Sequence, residues 1–241
     1  QEIADMGGGA VAKFIIDTPL AFAPSTNMQY SCNGMLLLGY ILEKLHRQPL
    51  EKIFDEQIKM PLGYTRSKFN IACGEPNAVV CYRLKDLSGL AHPFDDENIR
   101  VLKTSAGSGG QFFTMGDLVK FANAVMEKSE KLYSKEIFDL AEKDYAPTGA
   151  EGRGLGWLYV DGRYKQTGSL FPSGSFGHCG HTGTSMFFNR EKNMYVLILT
   201  NTTRFSAMKN GFKGYDYSET EKMRADIHNA IFEDLSKQNL I

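Results

Sequence analysis

The sequence of 241 residues lacks the features of two large classes of protein. It contains no run of apolar residues long enough to cross a lipid bilayer, so no transmembrane segment is expected. It also lacks an excess of basic residues, because 27 Lys and Arg are balanced by 28 Asp and Glu. The net charge of −1 provides no positive surface for the phosphates of a nucleic acid, and nucleic acid is therefore not expected among its partners.

Cysteine is scarce as well. The spacing of the four cysteines matches neither a disulfide framework nor a zinc ribbon; they are Cys32, Cys73, Cys81 and Cys179. Apolar residues, in contrast, make up 42% of the chain, which is enough to bury one large core or two smaller ones. We therefore expect a globular protein, and the cysteines indicate no particular compartment.

The first part of the chain, residues 1–150, has mostly helical periodicity and is predicted to form a helical subdomain. Three helices are expected in it: one with a broad apolar face from Met35 to Leu45 that Pro49 ends, one over residues 50–58 that stops at Pro61-Leu62-Gly63, and one that begins at Thr114. Thr114 indicates a helix start because, together with Asp117, it resembles a capping box. The polar residues 73–108 are predicted to form long loops.

The second part, residues 151–241, is predicted to form an antiparallel sheet with a helix packed on it. Asp161-Gly162 supplies the positive φ angles of a type I′ turn, which predicts a hairpin between Trp157–Val160 and Arg163–Lys165. A second antiparallel pair is expected over Thr184–Asn189 and Met194–Thr200. The predicted fold class is therefore α/β, of the α+β type, with a helical subdomain and an antiparallel sheet flanked by helices.

The last helix is predicted from a second capping box, formed by Ser218 and Glu221. One apolar face of this helix is expected to pack on the sheet. Its members are Met223, Ile227, Ala230, Ile231 and Leu235.

The stretch FGHCGHTGTSMFF, residues 176–188, contains two consecutive His-x-Gly tripeptides. Side chains alternate between the two faces of a β-strand, so His178 and His181 would point to opposite faces and could not bind one metal ion. Cys179 and His181 would share a face, but two ligands are fewer than a zinc site uses. No metal site is therefore expected. The stretch is either an ordinary strand or one half of a hydrolase active site.

A second element lies far upstream, where Tyr30-Ser31-Cys32 begins an apolar stretch that ends in Leu37-Leu38-Gly39. Together with FGHCGHTGTSMFF it resembles the serine β-lactamase-like family, which includes class C β-lactamases, D-Ala-D-Ala peptidases and related esterases. Further matches follow the family's order along the chain: the turn Phe22–Ser25, the triplet Asp96-Glu97-Asn98, the segment Ser105–Leu118 and the strand Gly154–Trp157. The resemblance extends over most of the chain, from about Phe22 to Thr200.

The resemblance implies a β-lactamase/transpeptidase-like fold and an acyl-enzyme mechanism in which a serine attacks the substrate. It implies that Tyr30, kept ionisable by neighbouring positive charge, is the base or proton relay, and that His178 takes the place of the family's Lys or His. Gly180 would let a substrate lie against the strand, and the backbone N–H of His181 would donate to the oxyanion. The expected substrate is a β-lactam, a D-Ala-D-Ala peptide or a small ester, with no cofactor. Family members are mostly exported, which implies a periplasmic, extracellular or envelope-associated location.

Two cysteines depart from the family's pattern. Cys32 stands at a substrate-binding position where the family has Asn or Asp, and a thiol cannot donate as an amide does. Binding of a β-lactam or a peptide amide is therefore expected to be weaker. Cys179 replaces the usual Thr, and it would lie in the same cleft as Cys32. The two side chains would either form a disulfide or pack as small apolar groups.

The family's nucleophile is the Ser of a Ser-x-x-Lys sequence ahead of the Tyr element, and residues 1–29 contain no such sequence. The single match in the chain is Ser206-Ala207-Met208-Lys209, which would act only in a permuted arrangement. We expect instead that the chain is the C-terminal portion of a longer serine hydrolase and is inactive alone, with an apolar face covered by the missing N-terminal segment or a partner chain. The alternative is a non-catalytic ligand-binding or regulatory module, which Cys32 favours.

Overall fold

The computed structural model describes residues 8–69, 71, 75, 77–79, 105–161, 166–211 and 216–241. Several sequence predictions lie outside the described residues: the triplet Asp96-Glu97-Asn98, the strand Arg163–Lys165, Cys73, Cys81 and most of the loop region 73–108. None of the described helices is long and apolar enough to cross a membrane.

The described helices are, in chain order, α1 (Gly8–Asp17), α2 (Cys32–His46), α3 (Leu50–Phe54), α4 (Met60–Leu62), α5 (Met115–Met126), α6 (Lys135–Ala141), α7 (Thr202–Lys209) and α8 (Tyr217–Lys237). A π-helical segment, Asp55–Lys59, joins α3 to α4. Pro61 lies inside this helical run, which ends within the predicted Pro61-Leu62-Gly63 triplet. The run ends at Gly63, whose φ of 64° is a conformation that glycine adopts without strain.

The described strands are β1 (Lys68–Phe69), β2 (Gln111–Phe112), β3 (Leu158–Val160), β4 (Ser175–Cys179), β5 (Ser185–Asn189) and β6 (Met194–Ile198). β1 and β2 form a small antiparallel ladder within the helical part, which was not predicted. The other strands form one antiparallel sheet in the order β3-β4-β5-β6. The predicted pair of strands before and after residue 190 is confirmed, because β5 and β6 pair with each other along their whole length.

The four-stranded sheet is the middle of three layers. On one face Phe187 packs against Phe232 of α8. On the other face Phe188 packs against Val125 of α5 and Phe138 of α6. The predicted architecture, an antiparallel sheet flanked by helices, is therefore confirmed.

Asp117 connects α5 to the chain before β1. Its carboxylate accepts hydrogen bonds from the backbone N–H groups of Thr65, Arg66 and Ser67 at 2.9 to 3.2 Å. Burial by itself would raise the pKa of Asp117, but these hydrogen bonds outweigh it and hold the pKa far below its ordinary value. The predicted cap of α5 is also present, since Thr114 Oγ1 accepts from the N–H of Asp117 at 3.2 Å.

The cap of α8 differs from the prediction. Asp216 is the N-cap, and its carboxylate accepts from both the N–H and the hydroxyl of Ser218, at 2.9 and 2.7 Å. Ser218 therefore lies inside the first turn, and the capping box with Glu221 does not form. Glu221 instead accepts a hydrogen bond of 2.8 Å from the side-chain amide of Gln166.

The buried face of α8 also differs from the prediction. Ile227 and Ala230 are exposed, although both were assigned to the apolar face. The fully buried residues recur at four-residue steps and are Thr220, Arg224, His228 and Phe232. Three of the four are polar, so apolar periodicity could not identify this face.

α2, in contrast, buries little of its predicted apolar face. Large side chains that are 40 to 74% exposed are Met35, Leu38, Ile41, Leu42 and Leu45. The residue of α2 that is buried is Gly39, which faces Gly107. A Cβ at Gly39 would come within 3.0 Å of the Gly107 nitrogen, and a Cβ at Gly107 would overlap the carbonyl oxygen of Met35. The two main chains therefore touch because neither glycine has a side chain.

Candidate active site

Tyr30 and His178 come together from the two parts of the chain. Tyr30 lies just before α2, and His178 lies in β4 opposite Met186 of β5. The two ring centroids are 6.3 Å apart, with an angle of 29° between the ring planes. Tyr30 is 68% exposed, so the pair lies at an open surface. The structure brings the two predicted residues together, while their chemical roles remain a prediction.

The hydrogen bond of His178 fixes its tautomer. Nδ1 lies 2.8 Å from the carbonyl oxygen of Cys179. A carbonyl can only accept, so the proton is on Nδ1 and Nε2 carries a lone pair. Burial lowers the pKa of His178, and although the bond to Cys179 opposes this shift, the charges of Arg153 and Arg224 add to it. His178 is therefore a neutral acceptor at neutral pH and does not supply the positive charge expected beside Tyr30.

His181 does not lie in a strand, because β4 ends at Cys179 and the chain turns before β5. In this turn, residues 180–184, the Gly180 N–H donates to Thr184 O at 2.7 Å and the Gly183 N–H donates to Gly180 O at 3.1 Å. The predicted strand therefore does not reach His181, but its side chain still lies on the α8 side of the sheet, where it stacks on Tyr217 at a centroid distance of 5.8 Å. No group of three or more His, Cys, Asp and Glu that could hold a metal ion occurs in the part of the chain that is described.

A Cβ at Gly180 would overlap the hydroxyl of Thr184, so a side chain at this position would force Thr184 to move. The ladder between β3 and β4 reaches only as far as Gly177. β3 therefore does not run beside the end of β4 that carries His178. The predicted binding of a substrate along the strand would take place at this end.

Cys32 and Cys179 are not joined in a disulfide. Cys32 is exposed at the first residue of α2, whereas Cys179 packs against the core cluster on the α8 side of the sheet. Because neighbouring residues of a strand point to opposite faces, His178 points away from that cluster. Of the two predicted alternatives the disulfide is thus absent, and Cys179 packs as a small apolar side chain.

Two residues of α8 that sequence reasoning missed contact the turn 180–184. The guanidinium of Arg224, which is 0% exposed, donates to Gly180 O at 2.6 Å and to Gly183 O at 3.1 Å. It also donates to the phenol oxygen of Tyr217 at 3.2 Å. The only sequence signal for Arg224 is its four-residue spacing from His228 in a stripe that is mostly polar.

Ser206 does not have the surroundings of a nucleophile. It is 1% exposed, and its hydroxyl accepts from the N–H of Asp216 at 3.0 Å. Lys209, the other end of the Ser-x-x-Lys match, forms a surface ion pair with Glu219 at 3.0 Å. The permuted arrangement considered for these residues therefore does not fit the structure.

Comparison with known proteins identifies relatives of the chain. The family model "Beta-lactamase" matches residues 4–212. The chain is 28% identical to the esterase EstB of Burkholderia gladioli, over 78% of this chain and 53% of that protein. It is 24% identical to the D-alanyl-D-alanine-carboxypeptidase/endopeptidase AmpH of Escherichia coli K12, over 87% of this chain and 54% of that protein. The chain spans about half the length of the curated relatives it matches.

A solved structure has the same fold. It is a beta-lactamase from Mycobacterium bovis, which is 16% identical, with a TM-score of 0.62 over 96% of this chain and 83% of that chain.

Proposed function

Because the chain belongs to the beta-lactamase family, we propose that it forms the tyrosine- and histidine-bearing part of a serine hydrolase that works through an acyl-enzyme. The observation that carries this proposal is the approach of Tyr30 to His178, with ring centroids 6.3 Å apart. The proposal requires that the exposed Tyr30 side chain turns so that its phenol reaches the imidazole.

In this proposal Tyr30 relays the proton of the attacking serine. The serine oxygen bonds to the substrate carbonyl carbon, its proton passes to the Tyr30 oxygen, and the phenol proton passes to Nε2 of His178. The tautomer of His178 supports this direction of transfer, because Nδ1 is bonded to Cys179 O and Nε2 is an acceptor. The proton then returns to the leaving group, which restores both side chains.

The oxyanion of the tetrahedral intermediate would be bound by the backbone N–H of His181. This group lies in the turn that follows β4, close in sequence to His178. The substrate would extend along the end of β4 beyond Gly177, where β3 no longer runs beside it.

We place the nucleophilic serine in polypeptide outside these 241 residues. Within them Ser206 is the single serine of a Ser-x-x-Lys sequence, and it is 1% exposed. The exposed apolar side chains of α2, which follows directly after Tyr30, support this placement. Additional polypeptide that carries the serine would cover them and remove this apolar surface from water.

A small carboxylic ester is the proposed substrate. Cys32 is exposed at the start of α2, where the family has Asn or Asp, and a thiol is a weak donor to the amide of a peptide or β-lactam side chain. An ester without such an amide needs no hydrogen bond from position 32, so its binding is not weakened by the cysteine. The same residue favours a second candidate, a non-catalytic ligand-binding module that retains the fold.

The test uses the natural protein that contains these residues. It is incubated with a fluorophosphonate, digested and analysed by mass, and its turnover of a p-nitrophenyl ester, a chromogenic β-lactam and a D-Ala-D-Ala peptide is compared. We expect an adduct on one serine outside these residues and fastest turnover of the ester. An adduct on Ser206 would contradict the placement of the nucleophile, and a protein with neither adduct nor turnover would be the non-catalytic module.

A further inference from the structure

Arg224 of α8 is a buried cation, and two of its hydrogen bonds go to the main chain of the turn 180–184. It forms no ion pair with a carboxylate of the described residues. Its Nη2 donates to Gly180 O at 2.6 Å and its Nε to Gly183 O at 3.1 Å. Burial of a charged group costs free energy unless the group forms hydrogen bonds. The charge-assisted hydrogen bonds from Arg224 to these two carbonyls are therefore strong.

The carbonyl of Gly180 and the N–H of His181 belong to the same peptide group. In a trans peptide the C=O and N–H bonds lie in one plane and point in opposite directions. Because Arg224 binds this carbonyl from the α8 side, the N–H of His181 is directed away from α8. His178, which precedes this peptide in β4, likewise points to the sheet face opposite α8.

Two further contacts keep this arrangement in place. Tyr217 accepts from Arg224 at 3.2 Å and stacks on His181 at 5.8 Å, so it contacts both the guanidinium and the residue that carries the N–H. Gln166 accepts from Arg224 through its side-chain oxygen, and its amide nitrogen donates to Glu221 at 2.8 Å. This second bond fixes which end of the Gln166 amide faces the guanidinium.

We propose that Arg224 is a positioning residue that orients and polarises the Gly180–His181 peptide so that its N–H can bind the oxyanion. A charge-assisted hydrogen bond to the carbonyl draws electron density from the N–H and makes it a stronger donor, and burial of Arg224 limits the screening of this effect by water. The inference rests on the proposed function, because it assigns a role to Arg224 in the same reaction.

The test compares Arg224→Gln with Arg190→Gln in the natural full-length protein. Arg190 is a matched control because it also donates to main-chain carbonyls, those of Val125 and Met126, but lies outside the site. We expect Arg224→Gln to lower kcat for a p-nitrophenyl ester by about 100-fold with KM changed by less than about threefold, as for the loss of an oxyanion donor. Arg190→Gln should lower the thermal midpoint but leave kcat within about threefold of the wild-type value.

Arg224→Lys should recover part of the lost kcat, because an ammonium can still donate to Gly180 O. If Arg224→Gln does not fold, Arg224→Lys and Tyr217→Phe decide the question, with an expected loss of about tenfold in kcat at unchanged KM. A wild-type kcat in the variants, or an equal loss of kcat in Arg190→Gln, would overturn the inference.

Hydrogen exchange separates this inference from the proposed function. If the wild-type protein shows neither turnover nor labelling, the proposed function fails, and exchange of the amides in residues 178–184 decides on the contact alone. Faster exchange there in Arg224→Gln than in Arg190→Gln supports a clamp on this peptide, and equal exchange in the two variants refutes it.

Discussion

Helices α2 and α8 meet the candidate site from opposite faces of β4, and they are packed very differently. α8 packs on the sheet side of the molecule through four side chains with almost no exposed surface: Thr220, Arg224, His228 and Phe232. α2 follows directly after Tyr30 and leaves Leu38 and Leu45 53% and 74% exposed. The comparison separates two arrangements: α8 is bonded through Arg224 to the turn that follows β4, while α2 follows Tyr30 and leaves an apolar surface exposed.

The difference also shows which side of each helix is covered by other residues. The α8 side of the sheet has a closed core around Phe187 and Phe232. The outer face of α2 has no comparable cover among the described residues. We therefore expect substitutions on the two helices to have distinct signatures in activity and in stability.

The largest effect should come from Tyr30→Phe. Loss of the phenolic hydroxyl removes the proton relay, so kcat/KM for the ester substrate should fall by about 10²- to 10⁴-fold. Because Tyr30 is 68% exposed, the free energy of unfolding should change by less than about 0.5 kcal/mol. Steady-state kinetics and urea unfolding measure the two quantities. Tyr145→Phe, which changes a 46% exposed tyrosine elsewhere, should leave the rate unchanged, and an active Tyr30→Phe variant would refute the relay.

Truncation of a large side chain on each helix should sharpen the contrast in packing. Phe232→Ala should lower the free energy of unfolding by about 3 to 5 kcal/mol, because Phe232 is 2% exposed. Leu45→Ala in the natural full-length protein should lower it by about 2 kcal/mol, since we propose that additional polypeptide covers α2. Urea denaturation of both variants gives these values. A change below about 0.5 kcal/mol for Leu45→Ala would mean that this surface stays exposed, contrary to the proposal.

His228 should make the stability conferred by α8 sensitive to acid. It is 0% exposed between Phe171 and Phe187, and its two ring nitrogens have no hydrogen-bond partner within the described chain. Burial, reinforced by the charge of Arg224, lowers its pKa from 6.5 to about 4. As pH falls, the His228 side chain is therefore protonated in the unfolded chain before it is protonated in the folded one. The free energy of unfolding is unaffected by this group above about pH 6.5, and it falls by at most about 3 kcal/mol between pH 6.5 and pH 4.

His228→Leu tests this pH dependence. The variant should match or exceed the wild-type stability at pH 7, because neither nitrogen makes a bond that would be lost. Between pH 6.5 and pH 4 it should lose about 3 kcal/mol less than the wild type, as measured by urea midpoints at several pH values. An identical loss in both proteins would assign the acid sensitivity to other groups, such as His178.

Sequence reasoning predicted the parts of the molecule that depend on local patterns and on family motifs. β5 and β6 are short, largely apolar runs joined by a polar turn, the Thr114 cap lies next to its helix, and the family resemblance is confirmed by the match over residues 4–212. The juxtaposition of Tyr30 and His178 came from that resemblance, because their separation along the chain contains no local signal.

The errors arose where polar contacts, and not apolar periodicity, decide the structure. Asp216 caps α8 in place of Ser218 because one carboxylate satisfies two donors, and a search for a Ser-x-x-Glu pattern overlooks it. Arg224 can be buried because carbonyl groups about 40 residues away accept hydrogen bonds from its guanidinium. Helical periodicity does not reveal such distant partners. His181 left the strand because Gly180 and Gly183 close a turn there.

The contact between Gly39 and Gly107 sets the position of α2, and with it the position of Tyr30 just before the helix. The backbone of α2 packs directly against the backbone at Gly107, with no side chain between them. The helix therefore cannot move closer to this segment. A single methyl group at Gly107 would have to push α2 outward, and a helix moves as a stiff rod. Such a substitution would carry Tyr30 away from His178, although it alters neither side chain.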